Sequence, residues 1–152
     1  MQKKALITII GRQKFDSDND KIEMKTVGTI DCDDNNYIIR YNEELENSTV
    51  PIRARLNIAK DESRVEMMKS GPYSSCLIIE KSKRHLCNYG TEYGDMLMGI
   101  FGKNIENEYN ENEGSFNFSY EIDINGAVSS QNEVTILYKI NEQTGVRNVK
   151  NN

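Results

Sequence analysis

The sequence predicts an all-β fold, a closed or nearly closed antiparallel up-and-down barrel of eight to ten strands. Three observations predict it. Apolar residues alternate with a period of two, most clearly where Ile52, Ala54, Leu56 and Ile58 alternate with Arg53, Arg55, Asn57 and Ala59. Polar turns recur between such segments at near-regular spacing. Helical periodicity is almost absent. Short connections make neighbouring strands antiparallel, and closing the sheet removes exposed edges.

The elements follow in order. Lys3 to Arg12 is a first strand, and the acidic stretch Asp16-Ser17-Asp18-Asn19-Asp20 turns the chain. Lys21 to Cys32 is a second strand with Ile22, Met24, Thr26, Gly28 and Ile30 on one face, and Asp33-Asp34-Asn35-Asn36 is a hairpin turn. Tyr37 to Glu43 is the third strand and the segment around Ile52 to Ala59 the fourth. After a turn at Lys60-Asp61-Glu62-Ser63, a fifth strand carries Val65, Met67 and Met68 and ends at Ser70-Gly71-Pro72. Ser75 to Glu80 and Arg84 to Tyr89 are the sixth and seventh, joined by Lys81-Ser82-Lys83. An eighth runs from Asp95 to about Gly102. Asn104 to Glu113 is acidic and poorly patterned, and reads as a long loop or a short helix. Phe116, Phe118, Tyr120, Ile122 and Ile124 alternate in a ninth strand. Asn125-Gly126 favours a type I′ turn into a tenth, where Val134, Ile136, Tyr138 and Ile140 alternate.

A chain of 152 residues, 37% hydrophobic and 28% charged, suits one domain large enough to bury a core without disulfides or metals. The domain is expected over residues 1–141, with 142–152 a flexible tail. The net charge of −5 disfavours nucleic acid and anionic membranes as partners. The apolar run Ala5 to Ile10 is too short for a signal peptide or a membrane span, so a cytoplasmic location is expected. Cys32, Cys76 and Cys87 are odd in number and far apart, which predicts reduced, mostly buried thiols.

Several stretches, in order, carry a family resemblance. They are Lys4-Ala5-Leu6-Ile7-Thr8-Ile9-Ile10-Gly11, Val27-Gly28-Thr29, Tyr37-Ile38-Ile39-Arg40-Tyr41, His85-Leu86, Tyr93-Gly94 and Tyr120-Glu121-Ile122-Asp123-Ile124-Asn125-Gly126. The chain resembles the YwiB-like family of small bacterial proteins of unknown function over roughly Lys3 to Ile140. That resemblance implies a calycin-like, lipocalin-like β-barrel and supplies no catalytic residues. One departure is Thr91-Glu92-Tyr93-Gly94, where a Thr-Pro-Tyr-Gly run is expected; without proline the loop is less rigid.

The chemical motifs are few. The sequence has no P-loop, nucleophile elbow, paired-His zinc motif or Rossmann fingerprint, so no cofactor or metal is expected and the reading leans away from an enzyme. Asp16, Asp18 and Asp20 begin like a calcium loop, but Lys21 replaces the required Gly and Val27 the bidentate Glu. His85 is the single histidine, and Cys87 on the same strand face stands ~7 Å away, too far for a proton relay. Arg53 and Arg55 share one face and suit a carboxylate or phosphate, or merely a solvated exterior. Arg40 interrupts a mostly apolar strand and, if it faced inward, would need an anionic partner.

Three functional classes remain open. The first is a module holding a small apolar or amphipathic ligand inside the barrel, at a site drawn from Arg40, His85, Tyr89 and Tyr93. The second is an interaction protein whose barrel is filled by side chains. The third is an enzyme with an unrecognised site around the same four residues. The eighth strand is apolar on both faces, with Leu97 and Phe101 opposite Met96, Met98 and Ile100, which predicts a homodimer through the Leu97/Phe101 region or cover by the segment Asn104 to Glu113.

Overall fold

The computed structural model describes residues 2–44 and 49–141, so the tail expected at 142–152 lies outside the described residues. Ten strands account for the fold: β1 (Lys3–Phe15), β2 (Asp18–Cys32), β3 (Asn36–Glu43), β4 (Ile52–Ala59), β5 (Arg64–Ser70), β6 (Ser75–Glu80), β7 (Arg84–Thr91), β8 (Gly94–Glu108), β9 (Glu113–Ile124) and β10 (Ala127–Ile140). Each pairs antiparallel with its sequence neighbour, and β1 closes the barrel against β10. The expected barrel is therefore the observed one, at the upper end of the expected strand number. No helix occurs among the described residues.

Period-two alternation sorts the side chains. On β4, Ile52, Ala54, Leu56 and Ile58 are buried, while Arg53 and Arg55 are exposed. The same rule buries Ile39 and Tyr41 on β3 and Phe116, Phe118 and Tyr120 on β9. The buried side chains meet in one continuous core. Its largest fully buried members, Phe116, Phe118, Ile7, Ile39, Leu56 and Ile136 among them, occupy the middle of the barrel.

The end of the barrel at the β3 N-terminus and β10 C-terminus is closed by aromatic rings. Tyr37 stacks on Tyr109 at 4.6 Å between centroids, and Phe116 lies 5.4 Å from Tyr37 and 5.7 Å from Tyr138. The Tyr138 hydroxyl donates to the Asn110 carbonyl at 2.7 Å and accepts from the Asn110 N–H at 3.0 Å. Burial pushes this phenol up to about 12, so it stays a donor.

Three expectations are corrected. The segment Asn104 to Glu113 is neither a long loop nor a helix. After an irregularity in the β8–β9 ladder between Gly102 and Ile105, β8 continues to Glu108, with Ile105 buried opposite Phe118. Its polar residues are what an edge of the barrel needs: Asn107 donates to the Ala59 carbonyl at 3.0 Å and its N–H bonds Glu62 at 2.7 Å. The acidic turn is shorter than it reads, since Asp18 and Asp20 already belong to β2. The thiols are unpaired as expected, but only Cys87 is buried, whereas Cys32 and Cys76 are exposed. Burial pushes the Cys87 thiol up, away from reactivity.

Two places in the wall are loosely laddered. β6 and β7 share a single rung, Ser75 with Tyr89, and the Cys87 sulfur instead accepts the Ile78 N–H at 3.3 Å. The β2–β3 ladder stops at Thr29–Arg40. Beyond it β2 continues along β1 and β3 along β4, so the two hairpins part.

Candidate functional site

The parting of β2 and β3 opens a cleft of about 520 Å³ on the outer wall. Val27, Gly28 and Thr29 line it from β2, and Arg40, Tyr41 and Asn42 from β3. Arg53 and Arg55 complete it from β4, and Met68 and Ser70 from β5. The register is what assembles the arginines. Arg40 stands opposite Thr29 on one side and Arg55 on the other, and Arg55 is opposite Met68. Two residues along β4, Arg53 lies between Asn42 and Ser70. All three guanidinium-bearing residues are on the solvent side, because the alternate positions Ile39, Tyr41, Ala54 and Leu56 fill the core.

The electrostatics of this cleft are unusual for a chain with a net charge of −5. Like charges directly opposite on neighbouring strands destabilise a sheet by about 0.2–1 kcal/mol, and the Arg40–Arg55 rung is such a pair. No ion pair joins Arg40, Arg53 or Arg55 to a carboxylate among the described residues. Asp31 stands two residues along β2 from Thr29, opposite Ile38, near enough for its charge to act on Arg40. Arg55 donates from Nε to the neutral Asn57 side chain at 3.2 Å. Lys69 borders the cleft, but its ammonium is taken by Glu43 at 2.9 Å.

Other clefts among the described residues set carboxylates among their cations. One of about 430 Å³ is lined by Arg12, Lys14, Lys21 and Lys103, yet Glu133 is 4.0 Å from Arg12 and Glu121 is 3.0 Å from Lys103. Gln131 ties Lys103 and Glu121 together with bonds of 2.9 and 2.7 Å. A third, of about 490 Å³, pairs Leu6 and Leu137 with Glu108, Glu113 and Lys139. A small hollow of about 150 Å³ at the rim near Tyr120 is too little for a ligand of ordinary size.

The four residues expected to share a pocket do not converge. Arg40 faces outward on β3, with three strands between it and β7 in the sheet. His85 on β7 is half-buried, with Nε2 2.9 Å from Glu80 Oε1. Its hydrogen bond, and then that of Lys83, holds the Glu80 carboxyl below the usual range. Tyr89 sits opposite Ser75 and Met96 and is 40% exposed, and Tyr93 is 93% exposed at the β7–β8 tip. Arg40 therefore lies apart from the other three. Its true neighbours, Arg53 and Arg55, were read as a separate pair. The missing signal was the β3–β4 register, which the connection of residues 44–51 leaves unspecified in sequence.

On the eighth strand, Leu97 is 59% exposed on the outer wall near Leu86 at 61%, with Phe101 four residues along on the same face. The segment expected to cover them does not do so, since Ile105 is in the core and Tyr109 is stacked on Tyr37.

Comparison with known proteins adds the family and the fold. The family model described as "Domain of unknown function (DUF1934)" matches residues 7–136, most of the chain. Among solved structures, the ywiB protein from Bacillus subtilis is similar, with a TM-score of 0.80 at 16% identity over 92% of this chain and 93% of that one. None of the curated proteins compared matches the chain.

Proposed function

The chain belongs to the DUF1934 family, a domain of unknown function, and within that family we propose that it is a binding module that docks an anionic group on the outer barrel wall at Arg40, Arg53 and Arg55. One observation carries the reading: three arginines from adjacent strands line one cleft with no carboxylate paired to them among the described residues. Arginine forks suit carboxylate and phosphate oxygens, and such charge-assisted bonds contribute about 1.5–3 kcal/mol each. Binding is favoured over catalysis because guanidinium, amide, hydroxyl and thioether groups dominate the cleft, and none of these titrates near neutrality. A ligand inside the barrel has less support, since the apolar side chains of the core occupy the middle of that space.

The test is calorimetric titration with inorganic phosphate at low salt, where surface charge is least screened. Replacing Arg40, Arg53 and Arg55 together with Gln is expected to weaken binding by at least about tenfold, since 1.4 kcal/mol is one decade. The same substitution removes the like-charge rung, so stability should hold or rise by up to about 1 kcal/mol. Equal phosphate binding by the parent and the substituted protein contradicts the reading.

A further inference from the structure

The three arginines are not equivalent. Arg40 and Arg55 share one rung, where opposed Cα atoms stand about 4.5–5.5 Å apart. Two guanidinium groups on one rung can meet a single anion through their terminal Nη donors, while the Arg55 Nε is held by Asn57 at 3.2 Å. Arg53 stands two residues further along β4, a rise of about 7 Å. Its rung companions Asn42 and Ser70 are neutral hydrogen-bonding groups. The cleft therefore has a doubly cationic end and a singly cationic, polar end. A single phosphoryl group held at the Arg40–Arg55 end stops short of the Arg53 rung. Two linked phosphoryl groups reach towards both ends, and the long, flexible arginine stems close the rest of the span. Val27 and Met68 border the same cleft and leave room for an uncharged remainder.

Resting on the reading of this cleft as an anion site, we propose that its ligand carries a diphosphate, one phosphoryl group held by Arg40 and Arg55 and the other by Arg53 with Asn42 and Ser70. Calorimetry with acetate, orthophosphate and pyrophosphate tests it. Pyrophosphate should bind the parent protein at least about tenfold more tightly than orthophosphate, the equivalent of one added charged contact. Arg53→Gln should erase that advantage, weakening pyrophosphate binding at least about tenfold more than orthophosphate binding, whereas Arg55→Gln should weaken both by similar factors. An alkyl diphosphate that binds more tightly than pyrophosphate supports an esterified ligand, and one that binds no more tightly supports the free ion. If orthophosphate binds and pyrophosphate binds no better, or if Arg53→Gln weakens both alike, the diphosphate assignment is overturned and the anion site stands. If neither phosphate binds, the anion site itself is overturned.

Discussion

Phe116→Ala is expected to lower the unfolding free energy by about 3–5 kcal/mol, the range for removing a fully buried aromatic ring. Phe116 has no exposed surface and touches the rings of both Tyr37 and Tyr138 at the closed end of the barrel. Removing the ring subtracts its burial and leaves a cavity, because β9 is held on both sides by long ladders to β8 and β10 and cannot collapse inward. The loss should also loosen the Tyr138–Asn110 bonds that close this end. Urea denaturation followed by far-ultraviolet circular dichroism measures it. A cost below about 1 kcal/mol would mean that the interior around Phe116 tolerates empty space, and the filled-barrel account would be wrong.

The second large effect is expected at Gly28. A Cβ there would meet the backbone carbonyl oxygen of Arg40 in a forbidden contact and press on Ile7 Cδ1 at 2.8 Å. Ile7 is itself fully buried and has no room to retreat. Overpacking of this kind typically costs about 1–3 kcal/mol, and a backbone oxygen that cannot move places Gly28→Val at or above the upper end. The contact lies where the β2–β3 ladder ends, so relief would come by prising the two strands apart below the arginine cleft. Chemical denaturation should therefore show a loss of stability, and phosphate binding should weaken in the protein that stays folded. Wild-type stability in Gly28→Val would show that β2 does not approach Arg40 as described.

The barrel was legible because it rests on local chemistry. Alternation in β4, β9 and β10 marks inside from outside, and Asn125-Gly126 adopts positive φ at both residues, as its turn demands. The extension of β8 to Glu108 was not legible, because it answers to tertiary partners: the Asn107 side chain to the Ala59 carbonyl, its N–H to Glu62, and Tyr109 just beyond the strand to Tyr37. Propensity does not register such contacts. The site was half legible for a related reason. Arg40, Arg53 and Arg55 each stand out as cations among apolar residues. Grouping them needs the rung that sets Arg40 against Arg55, a long-range pairing that only the fold supplies. His85, conspicuous as the single histidine, is used in an ordinary bond to Glu80.

The most direct test of an anion site on the outer wall of a filled barrel is an NMR titration with pyrophosphate that follows arginine Nε–Hε and backbone amide signals together. The account predicts saturable shifts at the side chains of Arg40, Arg53 and Arg55 and at the amides of Thr29, Asn42 and Ser70, which border the cleft. Inward-facing positions such as Phe118 and Ile136 should stay unmoved. Shifts centred on the interior residues, with the three arginine signals unchanged, would contradict it.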